Sequence, residues 1–144
     1  MSIGIIGGDD GPTTIFVTSS MKQEAFLFLI IVSLLLIHEM DAIRAKEWRL
    51  FPFLKDMAEE TAYWVFTAIH LPLYLVALYF ITCGSAISNY VTKIVIDVFL
   101  LAHAILHYCF RKKENNGFHS RYSKMIIYFL ALLALAHLSI LLLL

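Results

Sequence analysis

Residues 25–51 read AFLFLIIVSLLLIHEMDAIRAKEWRLF. Thirteen apolar or small residues, Ala25 to Ile37 with Ser33 the one polar member, run straight into His38, Glu39 and Asp41. As a helix the apolar run covers roughly 20 Å, short of the ~30 Å hydrocarbon core of a bilayer. A helix that crosses must therefore carry His38, Glu39 and Asp41 into the bilayer, where an acid is tolerated only against protein or water. The alternative is a helix end at the membrane surface, its acids reaching back to Arg44 and Lys46.

The rest of the 144-residue chain has the same character. Hydrophobic residues make up 60% and charged residues 15%, against roughly 25% charged in a soluble domain. Four segments of spanning length follow one another, at about 23–43, 61–82, 90–110 and 125–144. None shows the strict alternation of a barrel strand. The fold expected is all-α: a polytopic membrane protein, a bundle of four transmembrane helices over residues 23–144, preceded by an irregular Gly-rich segment over residues 1–22. Eleven basic residues balance eleven acidic ones. That leaves no basic surface for nucleic acid, so the partner expected is the lipid bilayer.

Charge sets the orientation. Arg44, Lys46, Arg49 and Lys55 fall between the first two spans, and Arg111, Lys112, Lys113, Arg121 and Lys124 between the last two, leaving only Lys22 and Lys93 for the other side. The positive-inside rule places both basic loops in the cytoplasm and both termini outside a bacterial inner membrane. Cys83 and Cys109 then fall at opposite depths, too far apart to pair.

Ionisable residues recur at one depth. His38, Asp41, Ala42 and Ala45 share a helical face, and the alanines admit a close neighbour. His103 and His107 stand at i, i+4 on the third span, a spacing that lets two imidazoles bind one metal. His70 lies about 13 Å into the second span, two residues before Pro72. The expected metal ligands are His38, His70, His103 and His107, with Glu39 and Asp41 as catalytic acid–base groups. Asp97, four residues after Lys93, is expected to pair with it. His119 is expected in a solvated loop, and His137 apart from the cluster.

The amino-terminal stretch SIGIIGGDDGPTTIF, residues 2–16, is turn-rich and cannot form a regular helix. It resembles the Gly-Gly-Ala-Asp-Gly-Pro-Thr segment of the β subunit of sodium-pumping decarboxylases, in which an intramembrane aspartate is implicated in sodium handling. The resemblance makes Asp10 the matching residue, with Asp9 where that family has alanine, and implies a cation site there. It covers about 15 residues of the chain. The remainder, densest at HEMDAIRAKEWR, resembles a family of small uncharacterised bacterial four-helix membrane proteins, which implies the fold and no activity.

Three functions are compatible with these residues. One is a metal-binding protein or membrane metalloenzyme holding zinc or iron and acting on a lipid-like substrate; a haem held by two histidines is its lesser variant. The second is a proton- or sodium-coupled transporter or channel subunit, for which a homodimer is expected because four helices leave little room for alternating access. The third is a non-catalytic accessory protein for a membrane partner.

Overall fold

The computed structural model describes residues 2–6, 14–18, 23–113 and 116–143. Four helices carry the fold: α1 (Gln23–Arg44), α2 (Glu59–Thr82), α3 (Ala86–Phe110) and α4 (Arg121–Leu143). Each is long and apolar enough to cross a membrane, and the chain is a multi-pass membrane protein. Its outward faces agree: Leu71 is 72% exposed, Ile87 76% and Leu143 88%. Lipid tails, as apolar as leucine, solvate such faces at no cost.

α3 and α4 begin four residues before the apolar windows do. Ser85 Oγ accepts the Ser88 N–H at 3.2 Å and Ser120 Oγ accepts the Ser123 N–H at 2.9 Å. A serine cap satisfies an otherwise orphaned amide, so each helix gains a polar first turn that hydropathy alone omits. α4 packs against both α1 and α3, while α2 packs against α3 and a 3₁₀ turn at Glu47–Leu50. α2 runs unbroken through Pro72. Both cysteines are free.

Before the bundle, strands β1 (Ser2–Ile6) and β2 (Thr14–Thr18) pair antiparallel, Ile3 opposite Val17. Both are rich in β-branched residues, which favour strands. Asp9 and Asp10 lie outside the described residues.

An apolar layer of Ile31, Leu100, Leu130 and Ala134, from α1, α3 and α4, lies between two polar sets. The set toward the α2–α3 loop ties three helices together. Lys93 Nζ meets Glu24 Oε1 at 2.7 Å, and His137 shares a hydrogen bond of 2.7 Å between Nδ1 and Asp97 Oδ2. The i, i+4 pairing expected of Lys93 and Asp97 is thus replaced by two inter-helix pairs. The reason is geometric. Asp97 and His137 are both 0% exposed, so Asp97 faces α4, whereas Lys93 reaches across to α1. Leaving a buried polar group without its hydrogen-bond partner costs about 1–3 kcal/mol. Asp97→Ala is therefore expected to lower the unfolding free energy in detergent by more than 1 kcal/mol, with Asp97→Asn losing less. Unfolding of Asp97→Ala indistinguishable from wild type would show the pair to be energetically idle.

Candidate metal centre

The second polar set lies at the end of the bundle that carries the two basic loops. His38 comes from α1, and His103 and His107 from successive turns of α3. His38 Nε2 stands 2.8 Å from His103 Nε2, and His107 Nε2 stands 3.0 Å from the same atom. Three rings from two helices thus turn the same nitrogen toward one point.

The fourth member is Glu47, which lies beyond the end of α1. Lys46 adopts φ 54°, ψ 51°, a left-handed conformation that costs a non-glycine residue roughly 1–2 kcal/mol. This reverses the chain and tucks the 3₁₀ turn under the bundle, burying Glu47, Trp48 and Leu50. Trp48 anchors it, its ring 5.6 Å from Phe66 and 5.9 Å from Tyr63 on α2. Glu47 Oε1 then lies 3.5 Å from His107 Nε2 and 3.7 Å from His103 Nε2, and Oε2 lies 3.8 Å from His38 Nε2. One ligand atom from each of the four residues lies within 4.8 Å of all the others.

The loop between α3 and α4 closes this centre. Phe118, 3% exposed, lies over the His38 ring at 5.8 Å and meets the His107 ring edge-on at 4.5 Å. Phe99 stacks on His103 at 5.6 Å. The Nδ1 atoms of His38 and His107 are buried and meet no partner among the described residues. Aromatic packing, rather than hydrogen bonding at Nδ1, therefore fixes these two ring planes. Gly117 permits the approach: a Cβ there would fall 2.0 Å from the Ala45 carbonyl oxygen. Gly117→Ala must push apart the loop and the turn that aims Glu47. We expect it to weaken metal binding at least tenfold while leaving the helical circular dichroism intact; unchanged affinity would separate the loop from the centre.

The spacings decide what the four residues can do. Glu47 is buried, which pushes its carboxyl up, but the proximity of His107, His103 and His38 outweighs this and holds it below the usual carboxylate range. Its oxygens are nevertheless too far from the imidazoles for ordinary hydrogen bonds, which lie at 2.7–3.2 Å. Ligands ~2.0–2.1 Å from a tetrahedral metal stand ~3.4 Å apart, close to the Glu47 distances. The buried His/Glu group can therefore hold a metal ion. The imidazoles sit slightly closer together than that shell requires.

Beside the centre is a cavity of about 290 Å³, bounded by Glu47, His103 and His107 and otherwise mostly by leucine, isoleucine and phenylalanine. Glu39 and His70 also face it. His70, expected as a ligand, is not part of the convergent group. Its Nδ1–H donates to the Phe66 carbonyl at 2.6 Å, and its Nε2 faces Glu39 Oε2 at 3.1 Å. Asp41 turns from the cavity altogether: its Oδ1 accepts from Arg44 at 2.8 Å, and Arg44 reaches Ser123 on α4 at 3.1 Å. His119 is exposed. Glu47 itself carries no sequence signal beyond its place in an amphipathic loop.

All four convergent residues lie within a match to one family model over residues 24–144. The chain belongs to DUF6713, a family of unknown function. The match begins after the Gly-rich stretch and takes in all four helices nearly whole. No curated protein and no solved structure matches the chain.

Proposed function

We propose that this protein is a membrane metalloprotein in which His38, His103, His107 and Glu47 hold one divalent ion, zinc or iron, and that it acts as a metalloenzyme on a lipid-like substrate. The observation that carries the reading is the convergence of three Nε2 atoms on one buried carboxylate, Glu47, whose oxygens stand 3.5–3.8 Å from them, at ligand-to-ligand rather than hydrogen-bond spacing. These four residues would hold the ion, and where its shell expands to a fifth position it would supply Lewis-acid chemistry, polarising a carbonyl or phosphoryl oxygen or acidifying a water. The adjoining apolar cavity supports an apolar substrate, and the Glu39–His70 pair on its wall is placed to give or take a proton. Asp41, tied to Arg44, has no part in this reading. The excess of basic residues in two loops supports a cytoplasmic position for the centre in a bacterial inner membrane, with both termini outside.

Elemental analysis of protein purified without chelator tests it. One equivalent of zinc or iron per chain is expected. Protein that neither retains metal nor takes it up from micromolar zinc or ferrous iron would reject the reading.

A second reading, a component of a proton-coupled transporter, is supported by the buried Asp97 and His137 with the half-buried Glu24 and Lys93 on the far side of the apolar layer, since intramembrane acids and histidines serve as proton relays. Proton flux in liposomes that ignores both Asp97→Asn and Glu39→Gln would discard it.

A further inference from the structure

A second cavity, of about 250 Å³, opens at the basic end, and His107 lines both it and the apolar one. Its walls are Arg111 and Lys112 at the end of α3, Asn116 and Phe118 in the loop, and Lys124 and Tyr128 at the start of α4. Three cations, two from the turn just after α3 and one from α4, thus share one concavity.

Among the described residues they differ from the other basic loop in having no acidic partner. Arg44, Lys46, Arg49 and Lys55 all face carboxylates: Arg44 faces Asp41, Lys46 and Arg49 face Glu59, and Lys55 faces Asp56. Among the described residues, Arg111, Lys112 and Lys124 face none within 4.0 Å. The concavity is also built rather than incidental. Asn116, 4% exposed, donates through Nδ2 to the Phe110 carbonyl and accepts the Phe118 N–H at Oδ1. Arg111 Nη1 donates to the Tyr108 carbonyl at 2.6 Å, and its guanidinium lies 3.7 Å over the Tyr108 ring. These contacts fix the pocket wall. They also occupy two C-terminal carbonyls of α3, whose partial negative charge would otherwise repel an anion.

We propose that this pocket binds a phosphate group, carried either by a lipid head or by a free phosphate ion. Arg111 offers a planar fork for its oxygens, and Lys112 and Lys124 offer compact charges on either side. Beside His107, a bound phosphate lies next to the candidate metal centre. The inference does not rest on that centre, because the cations converge with or without a metal.

The test uses the full chain in nanodiscs. In phosphatidylcholine discs, inorganic phosphate is titrated calorimetrically; in a second arm, discs containing phosphatidic acid and no free phosphate are compared by thermal unfolding. The pocket variant is Lys112→Gln/Lys124→Gln, both positions being exposed. The control, Lys46→Gln/Lys55→Gln, removes the same charge from the other loop. Saturable phosphate binding that weakens at least tenfold in the pocket variant and not in the control supports the site for free phosphate. A Tm rise with phosphatidic acid, lost only in the pocket variant, supports it for a lipid head. Neither effect in wild type, or equal losses in the two double variants, overturns it. Chelator-stripped wild type is expected to bind as well as untreated protein; binding lost on stripping would assign the anion to the metal and overturn the pocket.

Discussion

The His103→Ala/His107→Ala variant is expected to retain less than a tenth of an equivalent of metal where wild type retains about one. Two of four ligands vanish, and the survivors, His38 and Glu47, come from different elements. Sites with four protein ligands bind zinc with about 10–16 kcal/mol in small domains. Losing half the set therefore removes several kcal/mol, or at least a thousandfold in affinity. Thermal stability carries the same information. An ion present at 1,000 times its Kd stabilises the folded state by about 4 kcal/mol. Wild type should lose that increment when stripped by chelator, and the double variant should not respond to chelator at all. The comparison of stripped wild type with the variant isolates the packing loss caused by the alanines. A double variant with full metal content would place the ion elsewhere, and a chelator response equal to wild type would say the same.

The sequence made some of this centre legible and hid the rest for identifiable reasons. The four spans follow from unbroken apolar runs, because nothing else in a 144-residue chain accounts for them. The depth of His38, His103 and His107 follows as well, since rise per residue converts sequence distance into depth. Rotation about the helix axis does not follow. His70 has the expected depth but turns to Glu39, because where α2 docks on α3 is set by side-chain packing. Asp97 fails as an expectation for the same reason. Its local neighbour Lys93 was available, but the preferred partner lies 40 residues away on α4. Glu47 was the least legible. Its approach requires a left-handed Lys46 without glycine's permissiveness, and a loop 70 residues later whose Gly117 can lie on Ala45. The relation between those two segments exists only once the helices have packed.

The acid limb of metal binding offers the sharpest test of which residues are ligands. Imidazole must be neutral to bind a metal, and its ordinary pKa is about 6.5. Below that value, protons compete at up to three positions, so affinity can fall by as much as ~1,000-fold per pH unit. Glu47 contributes differently. Its carboxyl is held below the usual carboxylate range by the surrounding imidazoles against the opposing effect of burial. A lowered folded-state pKa means that its stabilisation is complete above the ordinary carboxylate value of about 4.3 and is lost only as pH falls through the lower one. Between pH 7 and pH 5 Glu47 therefore stays charged, and release of the ion is driven by the histidines. Equilibrium dialysis against a metallochromic dye should show release on acidification, with a slope steeper than one proton. Glu47→Gln removes the anionic ligand while leaving the imidazoles, so its release should begin at higher pH with a similarly steep slope. A wild-type protein that releases its metal with a slope of one proton or less would not hold it through three imidazoles. A Glu47→Gln variant that releases metal at the wild-type pH would exclude Glu47 from the ligand set.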